Sequence, residues 1–308
     1  MKSLSINHSQ LGRLALVGSA LAYSFEWLFM RNLMSVGFSP LAVVFSNSLL
    51  PLTEILFLSC FVPILKYRLS KQEHKIMFAY SVINLGMAGC FTAALKHTTV
   101  ANAVFFNFLS PIWIAIFGYL FLSERFTLVR WSGLILTCGG VFFIFTGSSS
   151  KSINFNKGDL FAMAAGMLMA IGIILLRKSK TVPALKKMVW IYTFRTIAIG
   201  GYLVIFPPLI NWQSANIIIV NVILLATCIS LLPAFLKNYG INHTDANVAS
   251  IIMMTEVVGQ VATAWLVGGE VPTDFVVFGG GLIVCASGLV IMERRILSYL
   301  LPLKQAVY

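Results

Sequence analysis

Charged residues are scarce in this sequence, and acidic residues are the scarcest. Asp and Glu together number 10 among 308 residues, and all charged residues make up only 10% of the chain. Soluble proteins carry about 25%. Hydrophobic residues make up 58%, and the mean hydropathy is +0.89. A soluble domain needs a polar surface, so this composition excludes a soluble globular protein and indicates helices embedded in a lipid bilayer.

Cysteine pairs and catalytic motifs are also missing. The five cysteines lie inside apolar segments and none stands in a CxxC pair, which is typical of buried thiols and not of a disulfide framework or a zinc site. They are Cys60, Cys90, Cys138, Cys228 and Cys285. The sequence has no HExxH, GxSxG or P-loop motif, and its four histidines lie far apart. We therefore expect neither an enzyme nor a bound cofactor or metal.

Basic residues, by contrast, give the chain a net charge of +12. They lie in short connectors between apolar runs and form no basic-aromatic motif, so we expect no nucleic-acid partner. Lys and Arg in connectors orient membrane helices. If the N-terminus is cytoplasmic, 17 basic residues fall on the inner side and 4 on the outer side, with Arg195 within a span. This asymmetry predicts that both termini are cytoplasmic.

Ten apolar stretches are long enough to cross a bilayer as helices. In lipid each span has to satisfy its own backbone hydrogen bonds, so helix is the expected structure for runs of this length. The stretches cover residues 12–32, 41–63, 74–96, 99–122, 127–146, 157–177, 187–207, 216–237, 246–267 and 274–292. The sequence therefore predicts an all-α membrane protein with ten transmembrane helices.

The two halves of the chain resemble each other at an offset of 146 residues. The aligned positions include Gly12 with Gly158, Leu14 with Leu160, Arg31 with Arg177, Ala103 with Ala249, Glu124 with Glu270, and Gly133 with Gly279. We expect a first repeat at 12–147 and a second at 157–293, between a cytoplasmic N-terminus (1–11) and C-terminus (294–308). Five spans in each half force opposite orientations, and inverted repeats are typical of secondary transporters.

One block of the first half carries a family resemblance. Residues 95–145 combine a start rich in Thr and Ala, Pro111, a Leu-x-Glu at residues 122–124, and a final helix rich in Gly. This pattern resembles the second part of an EamA-type repeat of the drug/metabolite transporter (DMT) superfamily. The resemblance implies a carrier of two inverted five-helix repeats around a central cavity. It leaves the cargo open among amino acids, nucleotide sugars, drugs and other metabolites.

The family's Glu-Pro pair is divided between the two halves. Glu256 stands where the Glu belongs in the second half, but Val257 replaces the Pro. The first half keeps Pro111 and has Ser110 in place of the Glu. Because Glu256 belongs to one half only, we expect it to serve cargo or coupling and not the scaffold.

Four charged residues near the middle of predicted spans are functional candidates, because each costs at least ~2.5–3.5 kcal/mol to insert. They are Glu26, Glu54, Arg195 and Glu256, and none has a charged counterpart in the other half. Arg195 is permanently charged and requires an anion. We expect it either to form a structural or gating ion pair, with Glu54 as the candidate partner, or to receive a substrate carboxylate or phosphate.

The remaining candidates are polar or aromatic residues at helical spacing. Glu256 and Gln260 share a face of span nine with Thr263, and Tyr23, Glu26 and Trp27 share one side of span one. That second group could cradle a cation, although Trp and Tyr also anchor helices at the interface. The further candidates for substrate binding are Asn84, Asn102, Phe106, Asn107 and Ser110. Each could instead bridge helices.

The function expected from these features is secondary active transport by alternating access. The cargo would be an amino acid or a similar charged or zwitterionic metabolite. Transport would be driven by a cargo gradient, by exchange, or by protons through a carboxylate such as Glu26 or Glu256. The alternatives are export of drugs or lipophilic cations, exchange of nucleotide or nucleoside derivatives, and a non-transporting scaffold or receptor. We expect a bacterial inner membrane protein that is a monomer or a homodimer.

Overall fold

The computed structural model describes residues 8–26, 33, 38–60, 67–98, 100–124, 126–147, 156–207, 230–269, 271–293 and 296. Within these ranges the regular secondary structure is helical, with twelve helices numbered here in chain order. They are α1 (His8–Tyr23), α2 (Pro40–Leu58), α3 (Lys71–His97), α4 (Val100–Phe108), α5 (Ser110–Leu122), α6 (Leu128–Gly147), α7 (Lys157–Lys178), α8 (Ala184–Ile205), α9 (Leu232–His243), α10 (Ala246–Met253), α11 (Thr255–Gly268) and α12 (Asp274–Ile291).

Eight stretches of the described residues are long and apolar enough to cross a membrane. They are Leu41–Leu58, Lys71–Ala94, Phe105–Leu122, Leu128–Gly147, Lys157–Lys178, Ala184–Ile205, Ala246–Val267 and Asp274–Ile291. Large apolar side chains such as Leu128 and Val204 are more than 80% exposed, which suits a surface covered by lipid. The chain is thus an integral membrane protein. The predicted spans 12–32 and 216–237 run into residues outside the described ranges, so the number ten stays a prediction.

Spans four and nine were expected to be single helices, and the structure corrects this. The first is divided at Leu109 between α4 and α5, and the second at Met254 between α10 and α11. Pro111 lacks a backbone N–H, which accounts for the first break. At the second break, Val257 N–H bonds Met254 O three residues back, at 3.1 Å, so the helix tightens locally. The breaks occupy almost equivalent positions in the two halves.

Two glycines related by the 146-residue offset make equivalent close contacts. A Cβ added to Gly12 would lie 2.9 Å from His243 Cβ and from Thr244 Oγ1. A Cβ added to Gly158 would lie 2.7 Å from Thr98 Cβ and 2.6 Å from its nitrogen. The packing of α1 against the end of α9 is therefore repeated by the packing of α7 against the end of α3.

The final helices of the two halves, α6 and α12, approach through their backbones. A Cβ on Gly140 would lie 2.6 Å from Gly279 O, and one on Gly279 would lie 2.5 Å from Gly140 O. Small residues permit such approaches, and in lipid this close packing is a main source of helix association.

Ion pairs join several helices at one end of the bundle. Arg130 contacts Glu293 at 2.8 Å and Asp245 at 2.8 Å, and Asp245 contacts Arg177 at 3.3 Å. Arg13 lies 3.6 Å from Glu293 and donates to the carbonyl of Ile291 at 2.7 Å. These residues, called the end network below, connect the start of α1, the start of α6, the end of α7, the start of α10 and the end of α12.

Glu124 caps a helix of the other half next to this network. Asp245 is the N-cap of α10 but makes no side-chain capping bond. Instead, Glu124 accepts bonds from the backbone N–H groups of Ala246 at 2.8 Å and Asn247 at 3.2 Å. Burial raises the pKa of the Glu124 carboxyl, and these N–H bonds partly oppose that effect. Its counterpart, Glu270, lies outside the described residues.

Replacing Gly279 with Ala should destabilise the protein by about 1–3 kcal/mol, because the new methyl group would overlap the backbone of α6. Thermal unfolding in detergent, followed by size-exclusion chromatography, measures this. Gly281→Ala is the matched control, since nothing lies within 4 Å of a Cβ on Gly281. Equal unfolding temperatures for the two variants would show that the α6–α12 contact does not limit stability.

Replacing Glu124 with Ala should lower stability by about 1–3 kcal/mol, because the first N–H groups of α10 lose their acceptor. Glu124→Gln should fall between Ala and wild type, since one amide oxygen can replace one of the two acceptors. The same thermal assay applies. An Ala variant as stable as the wild type would contradict the capping role.

Candidate functional site

Four charged side chains come together where α1, α8, α9 and α11 pack. Lys237 and Arg195 are the cations that attract the Glu26 carboxylate. Glu256 is also attracted by Lys237 and is repelled by Glu26. With two carboxylates and two cations, this charge cluster has no net formal charge. The structure thus unites three of the predicted midspan charges and adds Lys237.

The charge cluster lies deep in the bundle. At ~1.5 Å per residue, Glu26 is about 20 Å along the chain from Arg13 in the end network, and Glu256 is about 15 Å from Ala246. The hydrocarbon layer is about 30 Å thick. Measured from that end of the bundle, the carboxylates thus lie about half to two thirds of this thickness along their helices.

Each carboxylate has one side-chain hydrogen bond among the described residues. Asn47 Nδ2 of α2 donates to Glu26 Oε1 at 3.0 Å. Gln260 Nε2 donates to Glu256 Oε1 at 3.1 Å across one helical turn. Since a carboxylate can accept about four bonds, both groups retain capacity for a ligand. Asn47 was not among the candidates from the sequence. An amide within an apolar run could have identified it as one.

The predicted stripe on span nine faces α1. Thr263 Oγ1 donates to Ser24 O at 3.0 Å, and Ser24 Oγ donates to Glu256 O at 3.4 Å. Gly259 permits this approach, because a Cβ there would fall 1.9 Å from Ser24 Oγ. The close contact between α1 and α11 places Glu26 and Glu256 on adjacent helices.

Tyrosines surround the charges. Tyr23 and Tyr192 lie within electrostatic range of each other, of Tyr80 and of Glu26. Lys237 Nζ lies 5.3 Å from the centroid of the Tyr23 ring, which is a cation–π geometry. Tyr23 thus contacts a cation of the protein itself, and its role in holding a cation of the cargo stays a prediction. Lys237 is the last residue of the predicted stretch 216–237, and in the structure it lies in the middle of α9.

A small cavity adjoins the charge cluster. Its volume is about 80 Å³, and its lining includes Tyr80, Asn84, Met87, Lys237 and Met253. Ligand pockets for organic molecules usually measure about 300–1,000 Å³, so this space suits a few water molecules in the present conformation. The cavity brings the predicted residue Asn84 beside Lys237.

The predicted residues of span four make packing contacts. Phe106 packs against a cluster of Ala94, Ala103 and Ala162. The Asn107 carbonyl would lie 3.1 Å from a Cβ on Gly166 of α7. Asn102 and Ser110 are both buried. A role of Asn102, Phe106, Asn107 and Ser110 in binding cargo stays a prediction.

The expected pairing of Glu54 with Arg195 is not formed. Both residues are described, and their charged groups make no ion pair within 4.0 Å. Glu54 Oε2 and Arg195 Nε are each buried without a hydrogen-bond partner. Arg195 instead acts on Glu26, and the gating role of Glu54 and Arg195 stays a prediction. Trp27, the other aromatic candidate of span one, lies outside the described residues.

Comparison with known proteins places this geometry in a family. The model of the EamA-like transporter family matches the chain twice, over residues 10–146 and 156–292. The two matches are 146 residues apart, which is the offset found within the sequence. They cover both helix breaks and all four residues of the charge cluster.

Two curated relatives and one solved structure extend the match. The pseudopaline exporter CntI from two Pseudomonas aeruginosa strains, UCBPP-PA14 and PAO1, is 26% identical over 254 residues, covering 78% of this chain and 86% of the relative. One crystal structure superimposes with a TM-score of 0.78 at 16% identity over 93% of this chain and 98% of the other, which establishes a shared fold. Since the family model matches nearly the whole sequence, the chain belongs to the EamA-like transporter family.

Proposed function

We propose that the protein is a secondary active transporter that exports a small zwitterionic metabolite, such as an amino acid or a related compound, by alternating access. The observation that carries the proposal is the charge cluster near the middle of the bundle. Charges at that depth are costly and are kept where a substrate or ion passes.

The charge cluster is chemically complementary to a zwitterion. Glu26 and Glu256 offer carboxylates for an ammonium group, and the tyrosine rings add favourable ring faces. Arg195 offers a planar guanidinium that can hold a carboxylate with two hydrogen bonds. A neutral cargo would leave these buried groups without partners, which disfavours it.

The arrangement of the halves supports alternating access. Arg13 near the start of α1 and Arg177 near the end of α7 both contribute to the end network. The equivalent helices α1 and α7 would therefore run in opposite directions, as inverted repeats require. The end network joins both halves at one end, and its ion pairs would have to separate when that end opens.

The relatives support a direction of transport, and the distribution of basic residues supports a location for the protein. CntI is named as an exporter of pseudopaline, which favours outward movement of a small organic cargo here. The excess of Lys and Arg in the predicted inner connectors favours a cytoplasmic position for the end network. A bacterial inner membrane fits both observations, and Glu26 or Glu256 would be the groups that couple transport to protons.

Proteoliposomes test the proposal directly. Uptake and counterflow are measured for amino acids, nucleotides, nucleotide sugars and lipophilic cations, and we expect saturable flux of a zwitterionic class. Glu26→Gln and Glu256→Gln should each reduce that flux at least about tenfold, because the cargo ammonium loses a charged partner worth ~1.5–3 kcal/mol. Asp274→Asn, an exposed carboxylate of α12, is the control and should be close to wild type. Full transport by both Gln variants would refute the site.

Arg195 should determine recognition of the cargo carboxylate. Arg195→Gln should raise the KM for the zwitterionic cargo about 10–100-fold, and should leave the KM of its amide derivative unchanged. Competition assays with the acid and the amide measure this difference. If the variant weakens both compounds equally, Arg195 supports the structure and does not bind the carboxylate.

A further inference from the structure

Two lysines of this chain lie inside the bundle in very different surroundings. Lys187 is fully buried and donates to Leu176 O at 2.8 Å and to Asn242 Oδ1. Its ammonium is fixed by neutral oxygens at the ends of α7 and α9. Lys237, in the middle of α9, is placed instead among carboxylates and aromatic rings.

Lys237 is attracted to both carboxylates without being bound to either. Glu256 and Glu26 both favour its charge, and Arg195 opposes it. Among the described residues, however, Lys237 makes no ion pair within 4.0 Å. Glu26 and Glu256 take their side-chain hydrogen bonds from amides, not from the lysine.

The lysine also has space in which to move. Lys237 lines the cavity of about 80 Å³ that extends towards Tyr80 and Asn84. Its side chain is a flexible stem that ends in a compact ammonium. The same ammonium can therefore approach the carboxylates or withdraw towards the cavity without a change in the backbone of α9.

We propose that Lys237 is a built-in substitute for the ammonium group of the cargo, and that the cargo class is therefore organic molecules with a primary ammonium. In the empty carrier, Lys237 and Arg195 together balance the charges of Glu26 and Glu256. An arriving cargo ammonium displaces it towards the cavity. This inference rests on the proposed function, since it identifies the cargo group that the same charge cluster recognises.

Electrostatics favours this exchange. Arg195 balances one of the two carboxylates, and the second carboxylate, when it is ionised, requires another cation in each state that crosses the membrane. A second ammonium beside Lys237 and Arg195 would be repelled by both. Cargo and Lys237 therefore alternate at the carboxylates, and the empty carrier can reorient because Lys237 has returned.

Chemical rescue tests the ammonium site without knowledge of the cargo. Lys237→Ala should unfold at a lower temperature than wild type, and propylammonium chloride should raise its Tm by about 2–4 °C. Sodium chloride at equal ionic strength and 1-propanol should not. The rescue should disappear in Lys237→Ala/Glu256→Gln. Lys187→Ala is the matched control and should gain nothing, because its ammonium contacts neutral oxygens.

The rescue experiment is also informative if Lys237→Ala does not fold. If Lys237→Ala is recovered folded only with propylammonium present, the site accepts an external ammonium as proposed. If it fails with and without the compound, Lys237→Ala/Glu256→Gln should fold, because one uncompensated carboxylate has been removed. Equal rescue of Lys187→Ala, or failure of the double variant to fold, would overturn the proposal.

Transport assays distinguish a failure of this inference from a failure of the proposed function. With a ¹⁴C-labelled mixture of L-amino acids, Lys237→Met should retain counterflow but lose net efflux about tenfold or more, since its empty form cannot reorient. Equal loss of both fluxes would overturn the exchange role. If wild-type protein moves none of the mixture, the amino-acid cargo is wrong, and the rescue by propylammonium still decides whether the ammonium site exists.

Discussion

The cost of a charge in hydrocarbon is the constraint on which this structure depends. Only 10% of the residues are charged. Because a charge in hydrocarbon is costly, each one within the bundle needs a partner in the folded state. Some have close partners. Arg13 bonds to the carbonyls of Val290 and Ile291 and lies near Glu293, and Lys187 bonds to two neutral oxygens. These groups hold helix ends together.

The charge cluster differs because its groups are only partly satisfied. Glu26 and Glu256 each have one side-chain bond, Arg195 retains an unpartnered nitrogen, and Lys237 is attracted without being bound. Charged groups with few hydrogen bonds or ion pairs are unfavourable in a protein with a single conformation. In a carrier they remain available to bind a ligand. Under the proposed function, a charged cargo would supply the missing interactions, and its binding energy would then change the conformation.

The sequence predicted those site residues whose character is visible locally. Glu26 and Glu256 were recognisable because a charge within an apolar run is rare, and helical spacing put Gln260 beside Glu256. Lys237 was not recognisable as a site residue, because it ends an apolar stretch, as an ordinary connector lysine does. It lies inside the bundle because α9 continues beyond it to His243. The expected ion pair between Glu54 and Arg195 is not formed. The partners of a buried side chain depend on how each packed helix is rotated about its axis, and residue spacing does not determine that rotation.

The helix breaks show how a symmetric scaffold can hold an asymmetric site. Both halves interrupt a span at equivalent positions, where Leu109 and Met254 separate two short helices. In the second half, Glu256 lies in the first turn of α11, where the positive end of the helix dipole favours a carboxylate. In the first half, the equivalent position holds Ser110, fully buried. The repeated fold thus supplies two matching helix starts, and the difference between Ser110 and Glu256 decides which of them carries a charge.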